Sequence, residues 1–430
     1  MGKAGFKIMI LQDKYRLSFD GQVNEAINNE FPYYVFEMKC DIDMEKLEIA
    51  VNKAVAYHPV FKMKLKKEKR LYYLVPDDSL IKIAISDWKE NITYGTREYN
   101  GYPWLIAAGG NRMIFTCTHC LCDGMGAISF LKTVMTIYLM NKGFISKRKI
   151  DISEDAIQKT MEDSFEKNAG VGIKVPYNVR KAEKASRVSK TMFEKDGAKK
   201  SLYRFKIPQN EIKRLTDQTE TTTFAVISSI LAKTFAKTLK KEIGNITIML
   251  PVNMRGMYGS GTDRGFAYTA NLNYDIAKCM NRPLFLSSTA FRSQLDAIID
   301  KDYFDYILSE NKKQTDMLIK HPIILNIAKL AFYGMLYSPK ASIIYTHLTK
   351  LGLDADIESQ IEDFYISGAA KASPLIVAMT STFKDEISIT MGQSIKDDVF
   401  ITSMKAVLDE LDVKYEIEKM ERMPAIYYLK

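Results

Sequence analysis

Long hydrophobic runs are missing from this sequence. The most apolar stretch, Pro322 to Tyr337, is broken by Lys329 and falls short of the ~20 residues a membrane span needs, so it is expected to be a buried helix. The opening segment MGKAGFKIMILQDKYRLSF has no extended apolar core of the signal-peptide kind. It also carries Phe6 where a myristoylation signal needs Ser or Thr. Cysteines are few, five in 430 residues, and Cys117, Cys120 and Cys122 are crowded together. Such spacing excludes an evenly spread disulfide framework, and reduced thiols in a cytoplasmic protein are expected. Low-complexity tracts are absent as well. With 47% hydrophobic and 11% aromatic residues, the chain can fill sizeable cores and global disorder is excluded. Its length exceeds what one core usually organises, which predicts two domains of roughly 200 residues each.

The net charge of +9 is unevenly spread. Between Lys174 and Lys200 nine basic residues face three acidic ones, Glu183, Glu194 and Asp196, leaving +6 in one segment. That concentration argues against a general nucleic-acid-binding surface. A solvated linker is the expected role, with attraction of phosphates or acidic partners as the alternative.

Hydrophobic periodicity outlines the two halves. Tyr33 to Met38 predicts a strand, followed by a helix that Asp43 caps, with Leu47, Val51, Ala54, Val55 and His58 on one face. Pro59 stops that helix. VFKMKLK, LYYLV from Leu71 and KIAIS from Lys82 predict further strands. RMIFTCT, Arg112 to Thr118, predicts a strand that runs through HCLCDGMG into a helix beginning near Ala127. Beyond residue 201, strands are predicted at SLYRFKI and ITIMLPV, with a helix between them that Thr221 to Thr223 can cap and Gly244 can end. Helical patterns then cover Leu286 to Ile299 and Ile323 to Leu336. A hairpin, Leu375 to Phe383 and Glu386 to Met391, turns through Lys384 and Asp385, and a last helix covers Phe400 to Leu411. Strands interleaved with helices in both halves predict two α/β sandwiches. Their expected bounds are 1–173, a basic linker 174–200, and 201–430.

The segment HCLCDG carries the chemistry. His119 ends a strand, where a rigid scaffold can aim it into a cleft, and an imidazole with an ordinary pKa of ~6.5 can take a proton near neutral pH. Asp123 lies across a loop from it and suits a brace better than a relay. A buried carboxylate needs a cationic partner. Gly124 and Gly126 are expected to let the chain turn and to keep side chains out of a substrate's approach. Cys117, His119, Cys120 and Cys122 invite a zinc reading. The strand's alternation turns Cys117 and His119 to one face and Cys120 to the other, and no second cysteine pair completes a tetrahedron. No metal is therefore expected, and buried apolar cysteines are the better reading.

Four segments together resemble the superfamily that includes chloramphenicol acetyltransferase, the condensation domains of nonribosomal peptide synthetases, and alcohol acetyltransferases. They are AVNKAVAYHPVFKMKL from Ala50, HCLCDG with its His-x-x-x-Asp-Gly pattern, PVNMR from Pro251, and KLGLDADIESQIEDF from Lys350. The resemblance spans nearly the whole chain. It implies an α/β pseudo-dimer of two sandwiches meeting along a tunnel, with His119 as general base near the middle. No bound cofactor is implied. The co-substrate would be an acyl thioester, on coenzyme A or on a carrier protein's phosphopantetheine, and the acceptor a small alcohol or amine. The resemblance further implies an arginine partner for Asp123, by position Arg255, and a polar pair, Thr380 and Ser381, lining the tunnel and steadying an oxyanion.

The chain departs from the superfamily in places. Thr118 precedes His119 where many members carry a second histidine, and YTHLTKLG places His347 where alcohol acetyltransferases commonly have asparagine. His347 either lines the acceptor pocket or fills space. The Asp-Phe-Gly-Trp-Gly motif of the plant branch is absent. A Cys120 or Cys122 nucleophile is unnecessary, because a thioester donor already carries an activated acyl group. The rival reading from another class is a condensation-like module that binds a carrier protein without turnover.

Overall fold

The computed structural model describes residues 13–26, 32–151, 153–170, 185–186, 201–239, 243–321, 323–327, 341–348, 350–368, 376–393, 398–420 and 426–429. Most of the basic segment 174–200, and most of the apolar stretch 322–337, lie outside the described residues. No helix among the described residues is long and apolar enough to cross a membrane.

In the first half, a five-stranded sheet runs in the spatial order Ile361–Ser367, Tyr33–Met38, Arg112–Cys117, Trp104–Gly109, Ala84–Ile85. Its central strands are buried on both faces, which is why Trp104–Gly109 and Arg112–Cys117 read as continuous apolar runs. Helix Met44–Ala54 starts where Asp43 accepts a hydrogen bond from the Lys46 amide, and it buries Leu47, Ala50, Val51 and Ala54. It packs on helix Gly124–Asn141. Phe61 stacks on Phe130 of that second helix with ring centroids 4.0 Å apart, and Trp104 meets Phe130 edge-on. The expected strand at VFKMKLK begins late. Pro59–Lys62 forms one tight 3₁₀ turn, and the strand is Met63–Glu68. KIAIS is strand only at Ala84–Ile85.

The second half is built on a seven-stranded mixed sheet, ordered Ala267–Asp275, Asn245–Asn253, Ile343–Leu348, Ile376–Phe383, Glu386–Gln393, Ser201–Pro208, Glu416–Met420. Helices Leu284–Ile298 and Val399–Glu410 each pack on helix Thr223–Leu239 beside it, burying a second core. The hairpin turns through Lys384 and Asp385, with Lys384 in the left-handed region at φ 49°.

The halves are interleaved. Two segments of the expected 201–430 subdomain build into the other: Ile361–Ser367 pairs antiparallel with Tyr33–Met38, and Ile426–Tyr428 pairs parallel with Ile92–Tyr94. Arg204, 1% exposed, clamps the first of these. Its guanidinium donates to both carboxylate oxygens of Asp363 and lies 4.3 Å from the Tyr365 ring centroid.

Candidate active site

Strand Arg112–Cys117 delivers the chain to a tight turn in which the Leu121 amide donates to the Thr118 carbonyl at 3.1 Å. His119 sits in that turn, partly buried. Cys117 and Cys122 close its inner side with their sulfurs 3.6 Å apart, and the Cys120 thiol donates to Glu25 Oε2 at 3.3 Å. Burial pushes the Cys122 thiol well above its ordinary range, so it is a packed thiol rather than a thiolate nucleophile. All five cysteines are free, and no metal-holding group of His, Cys, Asp or Glu exists among the described residues.

The His119 Nδ1 lies 3.3 Å from the Cys122 carbonyl oxygen. A carbonyl only accepts, so Nδ1 carries the hydrogen and the basic lone pair belongs to Nε2. Burial lowers the affinity of this imidazole for a second proton, and the attraction of Asp123 and of the Cys122 carbonyl only partly offsets it. The ring is therefore neutral at pH 7.

Asp123 turns its carboxylate away from the turn and toward the second half. It is the N-cap of helix Gly124–Asn141, with Oδ1 accepting from the Met125 and Gly126 amides, both at 3.1 Å. Arg255 meets it with a two-pronged fork, each Nη to one carboxylate oxygen at 2.8 Å. The Phe266 amide adds a further hydrogen bond at 2.8 Å. Arg255 is itself fixed by the carbonyls of Thr262 and Arg264. One carboxylate thus joins the site turn, the site helix and the 253–266 segment across the two halves.

That segment is held by a second buried contact that the sequence did not disclose. His58 Nδ1 is 2.7 Å from Asp263 Oδ2, and its Nε2 is 2.8 Å from Thr133 Oγ1 on the site helix. Gly126 explains why the pieces fit. A Cβ there would lie 1.9 Å from the Asp263 carbonyl oxygen, whereas one at Gly124 would meet only Tyr34 Oη at 3.4 Å and Leu348 at 3.8 Å. Neither glycine has a positive φ. The expectation of a glycine-driven sharp turn is thereby corrected: Gly126 is needed for close approach to backbone, and Gly124 opens space beside Tyr34.

The polar pair on the late hairpin is split by strand alternation. Thr380 joins Tyr345 and His347 on the face toward the second core, with His347 Nδ1 2.6 Å from Thr380 Oγ1. Burial pushes the His347 pKa down to about 4, so it too is neutral at pH 7. Ser381 stands next to Leu348 on the opposite face, where Met379 and Phe383 enter the first core. Its hydroxyl is buried and has no hydrogen-bond partner among the described residues. Leu348 links this face to the site by its approach to Gly124. Among the residues singled out from the sequence, the structure joins Asp123 to Arg255 and His347 to Thr380. Tyr34, His58, Asp263 and Tyr345 were not singled out, although the inward side of YYVFEM and the His-Pro pair were visible signals.

No family model and no curated protein sequence matches the chain. Solved structures do. The chain is similar to TRI101 of F. sporotrichioides, crystallised with coenzyme A and T-2, at TM-score 0.68 and 12% identity over 94% of this chain and 100% of that one. TRI3 trichothecene 15-O-acetyltransferase from Fusarium sporotrichioides superposes at 0.62 with 10% identity, covering 93% of this chain and 94% of its own. Polyketide synthase associated protein 5 from Mycobacterium tuberculosis follows at 0.59 and 15%, covering 92% and 96%. The chain shares its two-subdomain α/β fold with these solved structures.

Proposed function

We propose that this protein transfers an acyl group from a thioester to a small alcohol or amine, with His119 as general base. The observation that carries the reading is the division of labour in HCLCDG. Asp123 is fully engaged by Arg255 and three amides, while His119 keeps the tautomer whose Nε2 accepts a proton. In the reaction, Nε2 takes the hydrogen of the acceptor O–H or N–H as that atom attacks the thioester carbonyl. The C–S bond then breaks, and the imidazolium returns the proton to the leaving thiolate, so the products are an ester or amide and a free thiol. Buried Ser381, whose hydroxyl has no partner among the described residues, is the candidate donor to the developing oxyanion. Coenzyme A in the TRI101 crystals supports an acyl-CoA donor over a carrier-bound one, in a tunnel between the subdomains.

The test is an acyl-CoA panel with a metabolite extract, following thiol release and new esters or amides by mass spectrometry. Acceptor-dependent release that falls by roughly 10²–10⁴ in His119→Ala, with the variant folded, supports the proposal. Binding without release marks a module instead, and a fully active His119→Ala removes the base assignment.

A further inference from the structure

On the flank of the site helix, two cations are held close together, neither with an ion pair among the described residues. Lys132 projects from helix Gly124–Asn141, and its Nζ lies 3.2 Å from where a Cβ of Gly352 would stand, against the bare face of a left-handed glycine at φ 66°. Arg148 is brought to the same place by the loop after strand Ile343–Leu348. There Asp354 Oδ2 accepts from the Arg148 amide at 2.9 Å and from the Ser146 hydroxyl, and Asp356 Oδ2 accepts from the Ile145 amide at 2.7 Å. Asp354 is the neighbouring negative charge and attracts the guanidinium, yet it is occupied by these bonds, and no ion pair joins the two among the described residues. Neither cationic side chain has an ion pair or a hydrogen bond among the described residues, and Arg148 Nη1 is a buried donor left unsatisfied.

Burial lowers the proton affinity of both groups, and Arg148 lowers that of Lys132 further. A fold does not gather two half-buried like charges for stability, since each would gain by separation or by a counter-ion. An anion with several oxygens resolves the conflict: it accepts from Nη1 and from the ammonium at once. We infer that Lys132 and Arg148, with the Gly352 backbone as floor, form a binding site for a phosphate-type oxyanion. Lys132 lies eight residues along the helix from Gly124, about 12 Å of rise, within the span of a pantetheine arm. The phosphates of a coenzyme A donor are thus one source and a free phosphate or polyphosphate the other. The site stands independently of the acyltransferase reading, and only its assignment to the donor rests on it.

Calorimetric titration of the full chain with pyrophosphate tests the site directly. Lys132→Gln and Arg148→Gln are each expected to weaken pyrophosphate binding about tenfold and to flatten its salt dependence. In phosphate-free buffer both variants should melt no lower than the parent, because each removes a half-buried charge that no ion pair satisfies. Equal pyrophosphate binding by parent and variants, or none by the parent, overturns the inference. Parallel titrations then fix the source. Weakened coenzyme A binding with unchanged pantetheine binding assigns the site to the donor's phosphates, and unchanged coenzyme A binding beside weakened pyrophosphate binding assigns it to a free anion. Absent acyl transfer with pyrophosphate binding intact overturns the proposed activity alone.

Discussion

Removing the Asp123 carboxylate is the sharpest perturbation available. In Asp123→Ala, Arg255 loses both prongs of its fork, and the amides of Met125, Gly126 and Phe266 lose their acceptor. Asp123 is 6% exposed, so water cannot readily take its place. Breaking one side of a buried pair costs about 3–5 kcal/mol, and loss of an N-cap about 1 kcal/mol; the two overlap, giving an expectation of about 4 kcal/mol. The mechanism predicts a pattern as well as a size. Once Asp123 is gone, Arg255 is a stranded cation, so adding Arg255→Ala should cost little more, and the double-mutant cycle should return a coupling of about 2–3 kcal/mol. Asp123→Asn should fall between, because asparagine caps helices well but points an amide donor at another donor. Urea unfolding of the parent, the two single alanine variants, the double variant and Asp123→Asn at pH 7 measures this. Single effects that add to within about 0.5 kcal/mol would sink the idea of one carboxylate joining two halves.

Three further outcomes follow from the geometry. Gly126→Ala should destabilise by about 1–3 kcal/mol, because its new methyl meets backbone, while Gly124→Ala should be near neutral; the reverse order in melting temperature refutes the close-approach argument. The acid limb of kcat/KM should lie below the ordinary imidazole value of about 6.5, because the lowered His119 pKa keeps the base form at lower pH; a limb at or above 7 contradicts it. For His347 the folded pKa of about 4 sits below the unfolded value, so the unfolded chain binds more protons in between. Its contribution is fully present above about pH 6.5 and lost as pH falls toward 4, about 3 kcal/mol in all. His347→Asn should erase that slope, and identical pH–stability curves would show the histidine to be solvated.

The sequence disclosed most where one residue type has one physical meaning. The strand–turn–helix course of HCLCDG was legible because an apolar strand runs into a glycine-flanked helix start, while the roles of His119 and Asp123 were implied by the resemblance. Leu284–Ile298 and the 376–393 hairpin lay close to their predicted positions for the same reason. Helix Lys301–Lys320 was missed because Asn311 and Thr315 occupy turns of its buried face, interrupting the apolar period. Ile361–Ser367 was read as part of a motif rather than a strand, since a segment that completes a sheet begun over 300 residues earlier carries no local sign of its partner. The His58–Asp263 contact was hidden likewise: 205 residues separate its members. The Thr380–Ser381 pair was mislaid by period 2, which always sends neighbours to opposite faces.

The strand that crosses between halves bears on how this molecule can be taken apart. Cut the chain anywhere in 174–200 and discard the second piece, and Tyr33–Met38 loses its outer neighbour Ile361–Ser367. A central strand of sequence YYVFEM then becomes an open edge with Tyr34, Val35 and Phe36 beside it, the kind of edge on which other chains nucleate. Expressed alone, residues 1–173 should precipitate. The two pieces made together should remain associated through the pairing of Ile361–Ser367 with Tyr33–Met38 and the Arg255–Asp123 fork even when no peptide bond connects them.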